Sequence, residues 1–179
     1  MSYLSELNAD HENARILLRL LAEQIQQIRD PQLDADFELM RDIMLYMTRY
    51  ADAIHHPRER PLFEVCIEQD PKWRSTVMDL GAEHQTLFES GAGLSRAISA
   101  VLSDAMVDRL SICDQAENYH DLYISHMQKE ERLFSECEEL LEDVHWQRIS
   151  AAFEAGADPL FGPIVAEELD NLRSVVQPQ

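Results

Sequence analysis

The chain has 179 residues, with 34 acidic against 15 basic side chains and a formal net charge of −19. So acidic a surface repels nucleic-acid phosphates and anionic lipid headgroups, and we expect neither nucleic acid nor membrane as a partner. No apolar run approaches the roughly 20 residues of a membrane-spanning helix, and the first residues lack the basic and apolar regions of a signal peptide. We therefore expect one cytoplasmic domain over residues 1–179.

Helix-forming residues dominate and there are only 5 glycines, which predicts an all-α fold. A first helix is predicted over about 5–29 and a second over about 34–66. Pro57 and Pro61 each delete a backbone donor of the second helix, so we expect it to be kinked or restarted there.

The second half of the chain predicts a similar pair of helices. They span about 72–102 and about 104–141, and Ser103 or Asp104 caps the latter. The pattern as a whole predicts an up-down-up-down four-helix bundle over about 5–141 with additional C-terminal helices. That extension, about 145–176, contains predicted helices over 145–155 and 164–175, and the last of these either caps the bundle or mediates homodimer formation.

A twelve-residue pattern occurs twice, 71 residues apart. His55-x-x-x-Glu59-x-x-Leu62-Phe63-x-x-Cys66 returns as His126-x-x-x-Glu130-x-x-Leu133-Phe134-x-x-Cys137, and a solitary histidine, His11 or His84, precedes each copy. Residues four apart share one helix face, so each pair aims an imidazole and a carboxylate at one point. Two facing halves offer four histidines and two glutamates, which suits a pair of iron ions.

Any one of these histidines, taken alone, is better explained as an ordinary core residue. The complete set is different, because two carboxylates in an apolar core cost several kcal/mol unless they are paired or metal-bound. Counting from the predicted turns also places the residues at nearly one level of the bundle. We therefore predict a metal site whose ligands are His11, His55, Glu59, His84, His126 and Glu130.

The remaining candidates have simpler explanations. Tyr119 and Tyr123 precede His126 by 7 and 3 residues, so they either donate near the site or pack as core aromatics. His120 and His145 are expected to be structural or at the surface. The three cysteines have no C-x-x-C spacing and predict no disulfide framework. Cys66 and Cys137 are expected to be small buried apolar residues.

His11, HHPRE at 55–59, Glu83-His84 and HMQKE at 126–130 together resemble the hemerythrin-like proteins with the His-His-Glu cation-binding pattern. The resemblance covers about 5–141 and implies a bundle around a non-haem di-iron centre. It implies that Glu59 and Glu130 bridge the irons and that the four histidines are terminal ligands. It also implies a bridging oxo or hydroxo group, and manganese or a mixed iron–manganese pair suits the same donors.

The chain departs from oxygen-carrying hemerythrins at two ligand positions. Their second histidine of the third helix is replaced by Leu80 or Phe88, and Glu131 stands where they have an aspartate. The ligand set is therefore short of filling two octahedral ions, and His56, Glu131, Tyr119 or Tyr123 are candidates to complete it. His56 lies about 100° around the helix from His55, and the Pro57 kink could redirect it.

The resemblance implies a protein that binds or reacts with O₂, NO or peroxide, in sensing, detoxification or repair of iron centres. A redox partner is implied but not identified, and whether the chain is an enzyme stays open. An alternative is an iron-binding or iron-handling module without turnover, towards which the acidic surface draws cations. A third interpretation is a structural bundle with a vestigial site.

Overall fold

The computed structural model of the chain describes residues 3–152, 156–163 and 166–177. The main helices are α1 (Tyr3–Arg29), α2 (Phe37–Tyr50), α3 (His56–Gln69), α4 (Arg74–Leu102), α5 (Arg109–Leu140), α6 (Asp143–Ala152) and α7 (Asp170–Val176). A π-helical turn, Ala51–His55, joins α2 to α3, and short 3₁₀ turns occupy Pro71–Trp73 and Glu167–Leu169. The predicted all-α class is confirmed, since no strand occurs among these residues.

Aspartate side chains cap the N-termini of α2 and α5. Asp36 accepts a hydrogen bond from the backbone N–H of Leu39 at 2.8 Å and so caps α2. The predicted cap of α5 at Ser103 or Asp104 is wrong. Asp104 adopts a left-handed φ of 58° in the turn that follows α4. Helix α5 begins only after Asp108, whose side chain accepts a hydrogen bond from the backbone N–H of Leu110.

The four-helix bundle forms because α2, the π-turn and α3 act together as one long second helix. Helix α1 packs along α5, α5 along α4, and α4 along α2. The predicted interruption near Pro57 takes the form of the π-turn, which lies just before the proline. Helices α3 and α5 approach each other near their C-terminal ends, across the axis of the bundle.

The core consists of two apolar clusters separated along the bundle axis. One contains Ala14–Ile28 of α1, the buried face of α2 and the facing parts of α4 and α5. The other contains Tyr3, Leu4 and Leu7 of α1 together with buried residues of α3, Leu80 and the end of α5. The repeated histidines and glutamates fall between the two clusters in every helix. A polar layer therefore divides the core.

Cys66 and Cys137 form a disulfide, with their Cα atoms 6.2 Å apart. The prediction of unlinked cysteines is wrong because it considered only local spacing. The two cysteines occupy the same place in the two copies of the repeat, and the bundle brings those places together across its axis. Cys113 is a buried free thiol. The cysteines thus no longer support a cytoplasmic location, which stays a prediction.

The C-terminal extension packs on the bundle. Helix α6 covers part of the helix predicted over 145–155, whose last three residues lie outside the described chain. The helix predicted over 164–175 begins later, at the turn Glu167–Leu169, and residues 164 and 165 are likewise not described. Leu169 and Leu172 are buried in the cluster around α2, so this end caps the bundle. No described helix is long and apolar enough to cross a membrane.

Candidate metal centre

The polar layer is built by all four long helices of the bundle. His11 comes from α1, His84 from α4, and His126 with Glu130 from α5. His55 ends the π-turn and Glu59 lies in the first turn of α3. The helices bring all six predicted ligands together. This agrees with the expectation, made by counting residues from the predicted turns, that they lie at nearly one level of the bundle.

The first donor set consists of His11, His55, Glu59 and Glu130. One nitrogen from each histidine and one oxygen from each glutamate all lie within 4.8 Å of one another. The Nε2 atoms of His11 and His55 are 3.2 Å apart. All four side chains are buried, and none is more than 5% exposed.

The second donor set consists of His56, His84 and His126. A nitrogen from each ring lies within 4.8 Å of the others. His56, predicted from the sequence as a possible additional ligand, lies in this second set. Its ring stacks on that of His84, with centroids 3.7 Å apart.

The two glutamates each turn one oxygen towards each donor set. Glu130 Oε2 is 3.3 Å from His11 Nε2, whereas Oε1 is 2.8 Å from His126 Nε2 and 3.2 Å from His84 Nε2. Glu59 Oε1 is 3.5 Å from His55 Nε2, and its Oε2 is 3.6 Å from His84 Nε2. Carboxylates that share their oxygens in this way can bridge two cations.

The two buried carboxylates of the polar layer, Glu59 and Glu130, would be stabilised by bound cations. Neither oxygen of Glu59 accepts a hydrogen bond from a described residue, although both are fully buried. Burial, and then the charge of Glu130, raise the pKa of Glu59 well above its usual value. Burial also opposes the charge of Glu130, but hydrogen bonds from the surrounding histidines outweigh it and hold that pKa well below its usual value. Two buried carboxylates with imidazoles on both sides therefore fit a pair of divalent ions.

The imidazoles are oriented by carboxylates behind them, and the first of these contacts involves His55. Its Nδ1 lies 3.1 Å from Asp10, which also accepts from Arg58 at 3.0 Å and from the Tyr50 hydroxyl at 2.9 Å. Because a carboxylate only accepts, Nδ1 carries the proton and Nε2 presents its lone pair to the layer. Burial lowers the pKa of His55, which favours this neutral form.

The same arrangement recurs in the second half of the chain. His126 Nδ1 lies 3.1 Å from Glu83, and Lys129 binds the same carboxylate. Asp10 and Glu83 each directly precede a solitary histidine, and Arg58 and Lys129 each lie three residues after the histidine they support. Sequence reasoning missed this role of Asp10 and Glu83, and extending the repeat by these positions would have found it.

The other candidates lie around the layer. Glu131 contacts the outer nitrogen of His11 at 3.0 Å and also binds Arg15, so it faces away from the donor sets. Tyr119 packs in the core against α2 and α4. His120 is at the surface and contacts Asp121.

A small cavity lies against the first donor set. It encloses about 10 Å³, room for about one water-sized molecule. Tyr123, another of the predicted candidates, belongs to its wall. The lining residues are Asp10, His11, Ala14, Tyr46, Met47, Tyr50, His55 and Tyr123.

A four-helix bundle with a buried layer of histidines and carboxylates is the architecture of a metal-binding bundle protein. The family model described as the hemerythrin HHE cation-binding domain matches residues 3–137. The chain therefore belongs to this family, and the resemblance stated from its motifs is confirmed. Among curated proteins and among solved structures there is no significant match. Helices α6 and α7 lie beyond the matched region.

Proposed function

We propose that this chain is a non-haem di-iron protein that binds or reacts with O₂, NO or peroxide. A first metal position takes the first donor set, and a second takes His84 and His126. Glu59 and Glu130 serve both positions. The observation that carries the proposal is that each buried carboxylate has one oxygen near the first donor set and the other near the second.

The bound iron pair supplies two-electron redox chemistry and open coordination positions for a small ligand. The cavity beside His11 and His55 has room for about one water-sized molecule, so the chain restricts what can approach the first donor set from that side. Asp10 keeps the imidazole of His55 directed at the layer, and Tyr50 and Arg58 hold Asp10 in place.

The first test is metal content and an optical spectrum on protein produced in iron-rich medium and exposed to air. We expect about two irons per chain and near-ultraviolet charge-transfer absorption. Glu59→Ala and Glu130→Ala should each lower the iron content below two, whereas the surface control His120→Ala should keep it. Full iron content in both glutamate variants would show that the carboxylates do not bridge.

The carboxylates behind the histidines provide a second test. Asp10→Asn and Glu83→Gln keep the size of the side chain but weaken the acceptor of His55 and His126, respectively. Each should reduce metal affinity by about 10- to 100-fold, measured by competition with a chelator. Affinity unchanged in both variants would mean that these contacts do not support metal ligands.

The alternative function is iron handling without turnover, which the net charge of −19 favours because it concentrates cations near the bundle. Iron that passes readily to an acceptor chelator, with no reaction towards O₂, NO or peroxide, would favour it. Rapid oxidation of the ferrous protein would favour the leading proposal. The redox partner, the homodimer and the cytoplasmic location remain predictions in either case.

A further inference from the structure

His56 breaks the symmetry of the duplicated site. Neighbouring residues of a regular helix point about 100° apart, yet His55 and His56 both reach the polar layer. The π-turn ends at His55, and α3 begins at His56 with Pro57 following. The ring of His56 lies 3.7 Å from that of His84 and 6.1 Å from that of His126, centroid to centroid.

The second copy of the repeat has no equivalent of this imidazole. The residue 71 positions after His56 is Met127, which is buried in the apolar core. The copies also differ at Glu131, which supports His11 from behind. Its counterpart, Arg60, is exposed and binds Glu64. Each half of the site thus has one supporting residue that the other lacks.

The two donor sets also differ in how far their side chains are buried. The donors of the first set are at most 5% exposed. His84 is 21% exposed, and His56 is also partly exposed. His126, the third donor of the second set, is only 2% exposed. The second donor set is therefore partly exposed on the side of His56 and His84, whereas every donor of the first set is buried.

We propose that His56 is a seventh metal ligand and that the two metal positions exchange at different rates. The second position, with His56, His84 and His126, exchanges its ion with solvent quickly, and the first exchanges slowly. The proposal rests on the proposed function in one respect, namely that the site holds two ions. Release requires water or a chelator to replace ligands one at a time, and the partly exposed imidazoles give it that route.

The test uses the whole chain loaded with two equivalents of Zn²⁺, which needs no redox activity. Release to an excess of a chelating dye is followed by absorbance. We expect two phases of one equivalent each. Uptake of fewer than two Zn²⁺ by the wild-type chain would count against the proposed function itself. Two equivalents released in a single phase would overturn only the inequivalence.

Matched variants assign the phases. His56→Met introduces the side chain that the other repeat carries, and it should accelerate the fast phase at least about tenfold while leaving the slow phase unchanged. Glu131→Gln should accelerate the slow phase alone, and His120→Met, a surface control, neither. His56→Gln provides a second replacement should the methionine disturb folding. Equal effects of His56 substitutions on both phases, or none on either, would overturn the role of His56.

Discussion

Replacing Glu59 by glutamine should stabilise the metal-free protein, although it removes a proposed metal ligand. Glu59 is fully buried, its oxygens accept no hydrogen bond from the described residues, and the charge of Glu130 lies beside it. A neutral side chain of the same shape relieves this cost. The gain at neutral pH should be up to about 3 kcal/mol, since each pH unit between the usual pKa near 4.5 and neutrality contributes up to about 1.4 kcal/mol.

The pH dependence follows from the sign of the shift. A pKa raised in the folded state means that Glu59 costs nothing below its usual value near 4.5 and destabilises the fold as pH rises towards the raised pKa. The difference between Glu59→Gln and the wild type should therefore vanish near pH 4.5. Above that it should widen by up to about 1.4 kcal/mol per pH unit until the raised pKa is reached.

Urea unfolding in the presence of a chelator, at several values between pH 4.5 and 8, measures this difference directly. Glu130→Gln is the matched control, because that carboxylate is hydrogen-bonded by the surrounding histidines and its pKa is lowered. It should destabilise the fold at neutral pH by about 3 kcal/mol, since it leaves buried partners uncompensated. Destabilisation by Glu59→Gln as well, with no dependence on pH, would refute the reasoning.

Two further predictions concern the bundle. Replacing Cys66 and Cys137 by serine should lower the free energy of unfolding by about 2–4 kcal/mol, because the disulfide closes a loop with a sequence separation of 71; unchanged urea midpoints would contradict it. Gly91→Ala should cost about 1–3 kcal/mol, since its Cβ would lie 2.8 Å from Thr48. Gly81→Ala, which meets nothing within 4 Å, should instead stabilise the exposed helix by about 0.5–1 kcal/mol in thermal unfolding, and equal effects would contradict the packing argument.

The helices and the six proposed ligands could be predicted because both depend on periodic patterns. The repeat placed His55 with Glu59 on one face, and the same spacing returned in the second half of the chain. The bundle and the family follow from this and are confirmed. The role of the six residues as metal ligands stays a prediction.

The features that were missed depend on contacts between distant parts of the chain or on local departures from a regular helix. The disulfide joins residues 71 apart, and only the packing of α3 beside α5 brings them together. The redirection of His56 was anticipated from Pro57, but the π-turn that produces it gives no signal in the apolar periodicity. Asp104 was expected to cap α5 because aspartate favours that position. It instead adopts a left-handed backbone conformation in the turn after α4, and α5 begins later, after Asp108.

The disulfide also affects the unfolded chain. Each of its cysteines lies 11 residues after the histidine of a His-x-x-x-Glu pair. In the oxidised chain the two pairs therefore stay at a high effective concentration relative to each other, of the order of millimolar for a short flexible tether. Any metal bound by these linked pairs before the helices assemble would reduce the net stabilisation that metal gives the folded state. Reduction of the disulfide would remove this effect, so the difference in stability between the metal-loaded and metal-free chain should be larger in the reduced protein.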